Sequence, residues 1–418
     1  MTVQIAALGR LGIATEAVFN TAEVVGSFVD LPVVENSATF AGVQDHLEPE
    51  VMQQFVHAYT DSKMVLGKKS STLALTSYLA GTGATTMQDG DNAWLTTTWA
   101  QYLLLKTLMG GAYQGTAGAT PTLTVATPTA TNVPITATHG TLFALAGGAY
   151  AVVMPNGTIE AREILSFTSG SVVPKIAHSV APGIGAQVYW PTTFHMVESA
   201  AANLGSLQFL CEGLEAGDEY TLLGGQGTLA IDVTTGALAK MSAQIQGASW
   251  SRSTLRTIAA PASIPGFSPI ANVTGELLVG TNGATTRNVV SHSQSTWSPG
   301  FAVSPITSPE GLSSSNVIGY KRSRGRAVTG SFVAYGDDAL NWLTADAART
   351  DLCVAQQIGM TTAGVVLLSA PTVQLSAAPT RTAAGDLYGL TVNWSGRNDA
   401  AIAVATDLGR SAFRIHVW

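Results

Sequence analysis

Side chains alternate with a period of two along run after run of this chain, and that pattern restricts it to a mainly β architecture. In residues 227–247, GTLAIDVTTGALAKMSAQIQG, Leu229, Ile231 and Val233 share one side. Met241, Ala243 and Ile245 repeat the pattern after a Thr-Thr-Gly turn at 234–236. Successive side chains of a strand point to opposite faces, so this run predicts two strands of a hairpin. Residues 70–81, SSTLALTSYLAG, set Leu73, Leu75 and Leu79 against Thr72, Thr76 and Tyr78. Residues 205–213, GSLQFLCEG, alternate through Leu207, Phe209 and Cys211. Near the C-terminus, LYGLTVNWSG, AIAVATD and SAFRIHVW predict three more short strands. Short strands without regularly interposed helices imply antiparallel sheets rather than βαβ units.

Two stretches break the rhythm. Residues 92–109 carry Leu95, Trp99, Tyr102 and Met109 at helical spacing, with Asp91 or Asn92 as cap and Gly110–Gly111 as stop. Residues 337–348 place Leu340, Leu343 and Ala347 on one helical face behind a cap at Asp337. Each helix follows a basic cluster and a strand. Lys68-Lys69 precede the strand ending at Gly81, and the cluster Lys321–Arg326 precedes AVTGSFVAYG. Each helix contains Trp-Leu (Trp94-Leu95 and Trp342-Leu343) and is followed later by a strand closing on Gly, Lys240 to Gly247 and Tyr388 to Gly396. The order reads as an internal repeat.

The 418 residues exceed what one hydrophobic core usually serves. The expected organisation is an N-terminal arm at 1–30, a first domain at 31–251, a linker at 252–268 and a second domain at 269–418. The arm is apolar through Ile5, Leu8, Leu11, Ile13, Val18 and Phe19, and packs either on its own chain or on a neighbour. Residues 112–160, rich in Thr, Ala, Pro and Gly, predict an inserted hairpin or small subdomain of extended backbone. The linker loses alternation and gathers Pro261, Pro265 and Gly266.

Only 11% of residues are charged, less than half the roughly 25% usual for soluble domains. A surface so poor in charge is a weak defence against self-association. Twenty basic against twenty-seven acidic residues leave a net charge of −7, which excludes a broad basic face for gripping nucleic acid. The two cysteines, Cys211 and Cys353, lie far apart in apolar runs and read as buried free thiols. The first residues lack the charge and apolar run of an export signal, and no stretch reaches the ~18 apolar residues of a membrane span.

No pattern in the sequence carries catalysis, so no catalytic, cofactor-binding or metal-ligating residues are expected and no cofactor. The seven histidines are scattered, and His46 with Glu48 and Glu50 reads as a solvated turn rather than a metal site. The Gly-rich segments 81–86 and 222–227 lack the Lys-Ser/Thr of a phosphate loop. Eight tryptophans are spread along the chain in core-like patterns, with no acidic pair beside them to suggest a glycosidase. The basic clusters are explained by solvated strand edges or by ion pairs across a subunit contact.

The unit at 67–109, the paired strands at 206–247 and their echo at 325–396 resemble the major tail tube proteins of long-tailed double-stranded DNA phages. The resemblance implies tandem β-sandwich or half-barrel domains, each with a flanking α-helix, that join their sheets into a ring-shaped β-barrel. It implies a structural role without enzymatic activity, in rings stacked into a hollow tube that conducts DNA during ejection. Two tube domains per chain imply homotrimeric rings of pseudo-six-fold symmetry, with a hexamer as the alternative. Further tail proteins are implied partners, duplex DNA passes without being held, and no membrane anchor is expected. The implied location is the virion tail, after synthesis in the host cytoplasm. The alternatives are another virion component, such as a baseplate hub, tail terminator or capsid decoration protein, and a carbohydrate-active β-protein.

Overall fold

Alternation becomes sheet wherever its apolar side finds a core. The computed structural model describes residues 2–5, 8–23, 28–47, 65–81, 100–114, 122–136, 148–168, 170–197, 204–213, 219–252, 268–300, 303–308, 317–322, 328–335, 342–361, 364–384, 387–398 and 407–418. Among these residues the chain is mainly β. Twenty strands join into one strongly bent sheet of half-barrel form, and six more make a second sheet. The paired strands are all antiparallel.

The hairpin expected at 227–247 is present as Glu219–Thr234 and Lys240–Gly247, paired from Gln226↔Gln246 to Asp232↔Lys240. Gly236 sits in the turn at φ 79°, a conformation that glycine adopts without steric cost. Leu229, Ile231, Val233, Met241, Ala243 and Ile245 are all buried. Val65–Tyr78 lies between Thr39–Leu47 and Lys240–Gly247, with Leu73, Leu75 and Leu79 in the same core.

A matching arrangement occurs later in the chain. Val328–Tyr335 lies between His292–Ser298 and Leu387–Arg397. The registers match: Tyr78 faces Lys240 where Tyr335 faces Gly389, Leu75 faces Ala243 where Phe332 faces Val392, and Thr72 faces Gln246 where Thr329 faces Ser395. Beyond it, Leu387–Arg397 pairs with Gly364–Leu375, which pairs with Leu352–Thr361 and with the C-terminal strand Arg414–Val417. That last strand also pairs with Thr192–Met196, which continues to Gly110–Gln114.

The helix Ala100–Met109 is buried nearly all round, with only Lys106 exposed, and Gln101 ties it to the neighbouring strand by donating to Tyr78 O and Ser77 Oγ. Tyr102 meets Phe194 edge to face at 5.5 Å. Residues 91–99, with the expected caps Asp91 and Asn92, lie outside the described residues. The second helix, Trp342–Ala347, departs from expectation. Its anchor is Trp342, packed edge to face on Phe332 at 5.3 Å, while Leu343 is 65% exposed and Ala347 is exposed. Six residues make less than two turns, so one aromatic holds the element and no apolar stripe is needed. Asp337 and Leu340 lie outside the described residues.

The apolar N-terminal segment is built into its own chain. Leu8–Thr15 pairs with Leu207–Gly213, burying Leu11 and Ile13, and Thr2–Ile5 pairs with Phe40–Val43. The second sheet is formed by strands between Thr122 and Tyr189, whereas Gly110–Gln114 belongs to the large sheet. The separate body in the first half therefore begins later and runs further than 112–160. Its extra strands include Ile159–Thr168 and Gln187–Tyr189, which close a core of Val133, Tyr150, Val152, Val172 and Trp190. Residues 253–267, most of the expected linker, lie outside the described residues, as do 401–406.

Candidate assembly interface

The two matching strand sets are joined edge to edge within one chain. The end of Glu219–Thr234 pairs with His292–Ser298 in the register Ile231↔Trp297, Asp232↔Thr296, Val233↔Ser295 and Thr234↔Gln294. Ile231 and Val233 are fully buried there, because the joined strand covers the side of the core that an edge leaves open. Trp297 anchors the joint. Its indole donates to Gln356 Oε1 at 2.9 Å, and its ring meets Trp394 at 5.1 Å and Phe413 at 5.9 Å. Gly330 makes room for this packing: a Cβ there would stand 2.0 Å from Trp394 Cζ2. Beside the joint, the hairpin of Val303–Thr307 and Val317–Arg322 reaches back over the first strand set. Its Tyr320 hydroxyl donates to Gln246 O at 3.2 Å, and its ring meets Phe19 at 5.8 Å.

The joint makes one face continuous across both sets. Tyr78, Lys240, Asp232, Thr296, Ser331 and Asn393 stand directly opposite one another on consecutive strands. Hydroxyls link neighbouring strands on this face, Thr76 with Ser242 at 3.3 Å and Thr296 with Ser331 at 2.9 Å. Two shallow grooves of about 450 and 390 Å³ lie on it, one lined by Thr39, Thr72, Thr228 and Gln244, the other by Ser298, Thr329, Ser376 and Asn393. Among the described residues, no titratable side chain lines either groove. The face offers hydroxyls, amides and few charges.

Charge is instead concentrated where the second sheet meets the large one. Arg162, 1% exposed, donates to Glu160 Oε2 at 2.9 Å, to Gln357 Oε1 at 3.3 Å and to Glu276 Oε2 at 3.4 Å. Gln357 accepts from Ala161 N at 2.9 Å and donates to Ile159 O at 2.7 Å, so a side chain of the large sheet satisfies backbone of the second. A second cluster centres on Glu163, which takes a charged hydrogen bond from Arg414, lies 3.7 Å from Lys175 Nζ and accepts from Ser369 at 3.1 Å. Burial by itself raises the pKa of Glu163, but Arg414 and Lys175 outweigh it and hold the carboxyl below its usual range. Burial likewise opposes ionisation of Glu160, yet His178, Arg162 and Ser179 bring its pKa down to about 2.

Glu160, His178, Ser179 and Tyr150 have the residue types of a hydrolytic site but the wrong order. Burial lowers the His178 pKa to about 4, so the imidazole is neutral. Its Nδ1–H donates to Glu160 at 2.9 Å and its Nε2 accepts from Tyr150 O–H at 2.7 Å. The Ser179 hydroxyl donates to Glu160 rather than to the imidazole, so His178 is not placed to act as its base. The arrangement is a structural lock. Sequence reading missed it, although the run Glu160-Ala161-Arg162-Glu163 within a strand offered a signal: charges on both faces of a strand require partners on both.

Of the residues weighed from sequence, Cys211 and Cys353 are free and buried, and burial pushes the Cys211 thiol up. Lys69 serves its own chain, with Nζ 3.4 Å from Trp250 O and 5.1 Å above the Trp250 ring. Trp190, Trp250, Trp297, Trp342, Trp394 and Trp418 are each 7% exposed or less, so none offers an open platform for a sugar. Glu48, Glu50, Trp94 and Trp99 lie outside the described residues, and among the described residues no group of three His, Cys, Asp or Glu is placed to hold a metal. No helix among them is long and apolar enough to cross a membrane. No protein-family model matches the chain, and no curated protein is significantly similar to it.

Proposed function

We propose that this chain is a structural subunit of a closed ring, of the kind found in the tail tubes of long-tailed phages, in which three copies supply six tube domains. The observation that carries the reading is the edge-to-edge joint inside the chain, where Ile231–Thr234 pairs with Gln294–Trp297 and two matching strand sets become one bent wall. A sheet that continues from one copy to the next and closes on itself has no free edges, which removes the aggregation hazard of an open wall. Closure also fixes how each copy meets its neighbours.

The wall's polar face supports a conducting role. Lysine and arginine contacts to phosphate produce most of the adhesion between proteins and nucleic acid. Along the row from Tyr78 to Asn393, Lys240 stands opposite Asp232 and the remaining residues are uncharged, so a passing duplex meets little to hold it. The net charge of −7 works in the same direction. A single ring within a virion, such as a baseplate hub or tail terminator, uses the same joint without stacking.

Electron microscopy of the purified protein tests the reading. Stacked rings or hollow tubes are expected, with sedimentation giving a smallest ring of about three times the 43.1 kDa chain mass. Isolated rings favour the single-ring role. Monomers at all concentrations refute ring formation.

A further inference from the structure

The second strand set ends in a hairpin whose outer strand, Thr380–Ala384, is exposed. We propose that this edge pairs antiparallel with the same edge of a second copy of the chain, about a two-fold axis at Thr382. A contact that is identical on both partners closes at two copies and cannot propagate. While it holds, the edge is withheld from the ring proposed above, so the pair is a storage form of the free subunit.

Among the described residues, Thr380–Ala384 has one strand neighbour, Leu387–Arg397, in the register Arg381↔Leu390, Thr382↔Gly389 and Ala383↔Tyr388. A strand paired on one side turns the N–H and C=O groups of alternate residues outward, and these are a template for another strand. The side chains around it are uncovered as well. Thr380, Arg381 and Ala383 are exposed, Leu387 is 63% exposed and Tyr388 84%. Ile231 and Val233, in a strand paired on both sides, are fully buried. The same edge on a second copy is open in the same way, so each strand meets a free partner.

The strand is complementary to itself in one register. With Thr382 on the axis all five residues pair: Thr380 with Ala384, Arg381 with Ala383, and Thr382 with its own counterpart. Arg381 then lies opposite a methyl group and not a second charge. An axis at Arg381 sets two guanidiniums directly opposite each other, which is destabilising, and an axis at Ala383 leaves Arg381 beyond the paired segment. Arg381, Ala383 and Tyr388 share one face of the hairpin, since Ala383 stands opposite Tyr388 and two residues from Arg381. In the pair, each Arg381 crosses the partner's Ala383 towards the partner's Tyr388. Two strand spacings of about 4.8 Å separate these residues, and the arginine side chain spans enough of that to bring its guanidinium within the roughly 6 Å of a cation–π contact. The two-fold axis makes this contact twice.

The full chain carrying Thr382→Cys tests the axis. Directly opposite residues of antiparallel strands have Cα atoms about 4.5–5.5 Å apart, within disulfide range. Mild oxidation is expected to give a covalent dimer, and nothing larger, on a non-reducing gel. Ala383→Cys, whose two copies stand diagonally about 7–8 Å apart, is expected to stay largely uncross-linked. Cys211 and Cys353, 0% and 3% exposed, give no competing thiol while the chain is folded. Tyr388→Ala removes both cation–π contacts and is expected to raise the dimer dissociation constant about tenfold in sedimentation, with the unfolding midpoint unchanged. A Thr382→Cys chain that stays monomeric on the gel, or an Ala383→Cys chain that links as readily, overturns the two-fold edge. An unchanged dissociation constant for Tyr388→Ala overturns the register. The oxidised Thr382→Cys dimer is expected to form no rings in the electron microscope until it is reduced. Rings built from the oxidised dimer overturn the storage role, whereas reduced protein that never forms rings overturns the ring reading and leaves the dimer standing on the gel result.

Discussion

Replacing Arg414 by Met tests whether buried charge locks the second sheet onto the large one. Arg414 is 0% exposed and its guanidinium engages Glu163, while Nε and Nη2 donate to Leu408 O and Gly409 O, each at 3.0 Å. Met keeps the stem and removes the charge. Stranding a buried carboxylate by deleting its partner costs about 3–5 kcal/mol. Lys175, 3.7 Å from the other carboxylate oxygen, offsets part of that, and the two lost hydrogen bonds to Leu408 O and Gly409 O add about 1 kcal/mol each. The expected loss is about 3–5 kcal/mol. Adding Glu163→Gln neutralises the stranded charge and is expected to restore about 2 kcal/mol, a coupling typical of residues in contact. Urea unfolding followed by tryptophan fluorescence suits the measurement. Trp418 packs between the two sheets against Ala149, Ala161 and Leu367, and its indole donates to Tyr189 O at 3.2 Å. A loss below about 1 kcal/mol for Arg414→Met, or strict additivity in the double variant, refutes the account.

Three further outcomes are expected. Stability falls with acid in two stages. The folded pKa of His178, about 4, lies below its ordinary value of 6.5, so its contribution is full above pH 6.5 and lost as pH falls toward 4. Glu160, at about 2 against an ordinary 4.5, loses its contribution between those values, and Glu163 moves in the same direction. His178→Asn should remove the upper stage from a pH series of denaturation midpoints, and an unchanged upper stage contradicts the assignment. Gly330→Ala forces a methyl to 2.0 Å from the Trp394 ring and is expected to cost at least about 1–3 kcal/mol in urea unfolding. Leu343→Ala, at a position 65% exposed, is expected to change stability by less than about 0.5 kcal/mol, and a larger loss means that the short helix is more deeply packed than it stands here.

Much of the wall was legible in the chain before folding. The direction of a side chain in a strand is a local property, so Leu73, Leu75, Ile231 and Met241 could be assigned to the core from spacing alone. The expected repeat rests on the same kind of pattern: Lys240 to Gly247 and Tyr388 to Gly396 keep the same alternation and closing glycine, and each pairs antiparallel with the strand that precedes it in the pattern, Val65–Tyr78 and Val328–Tyr335. The stripe expected on the second helix failed because spacing shows which residues share a face, not whether anything covers it. Leu343 shares that face and meets solvent.

What the amino-acid order determines on its own is the mainly β character and the facing of individual residues. Strand partners are another matter, since every extended backbone presents the same donors and acceptors whatever its side chains. Only the tertiary structure decides that Ile231 joins Trp297, that Thr380–Ala384 pairs with Leu387–Arg397, and that the N-terminal strand lies along Phe40–Val43. The buried charges are hidden from local reading for a related reason. Glu163 is stabilised by Arg414, 251 residues away, and its own neighbours in sequence say nothing of that guanidinium.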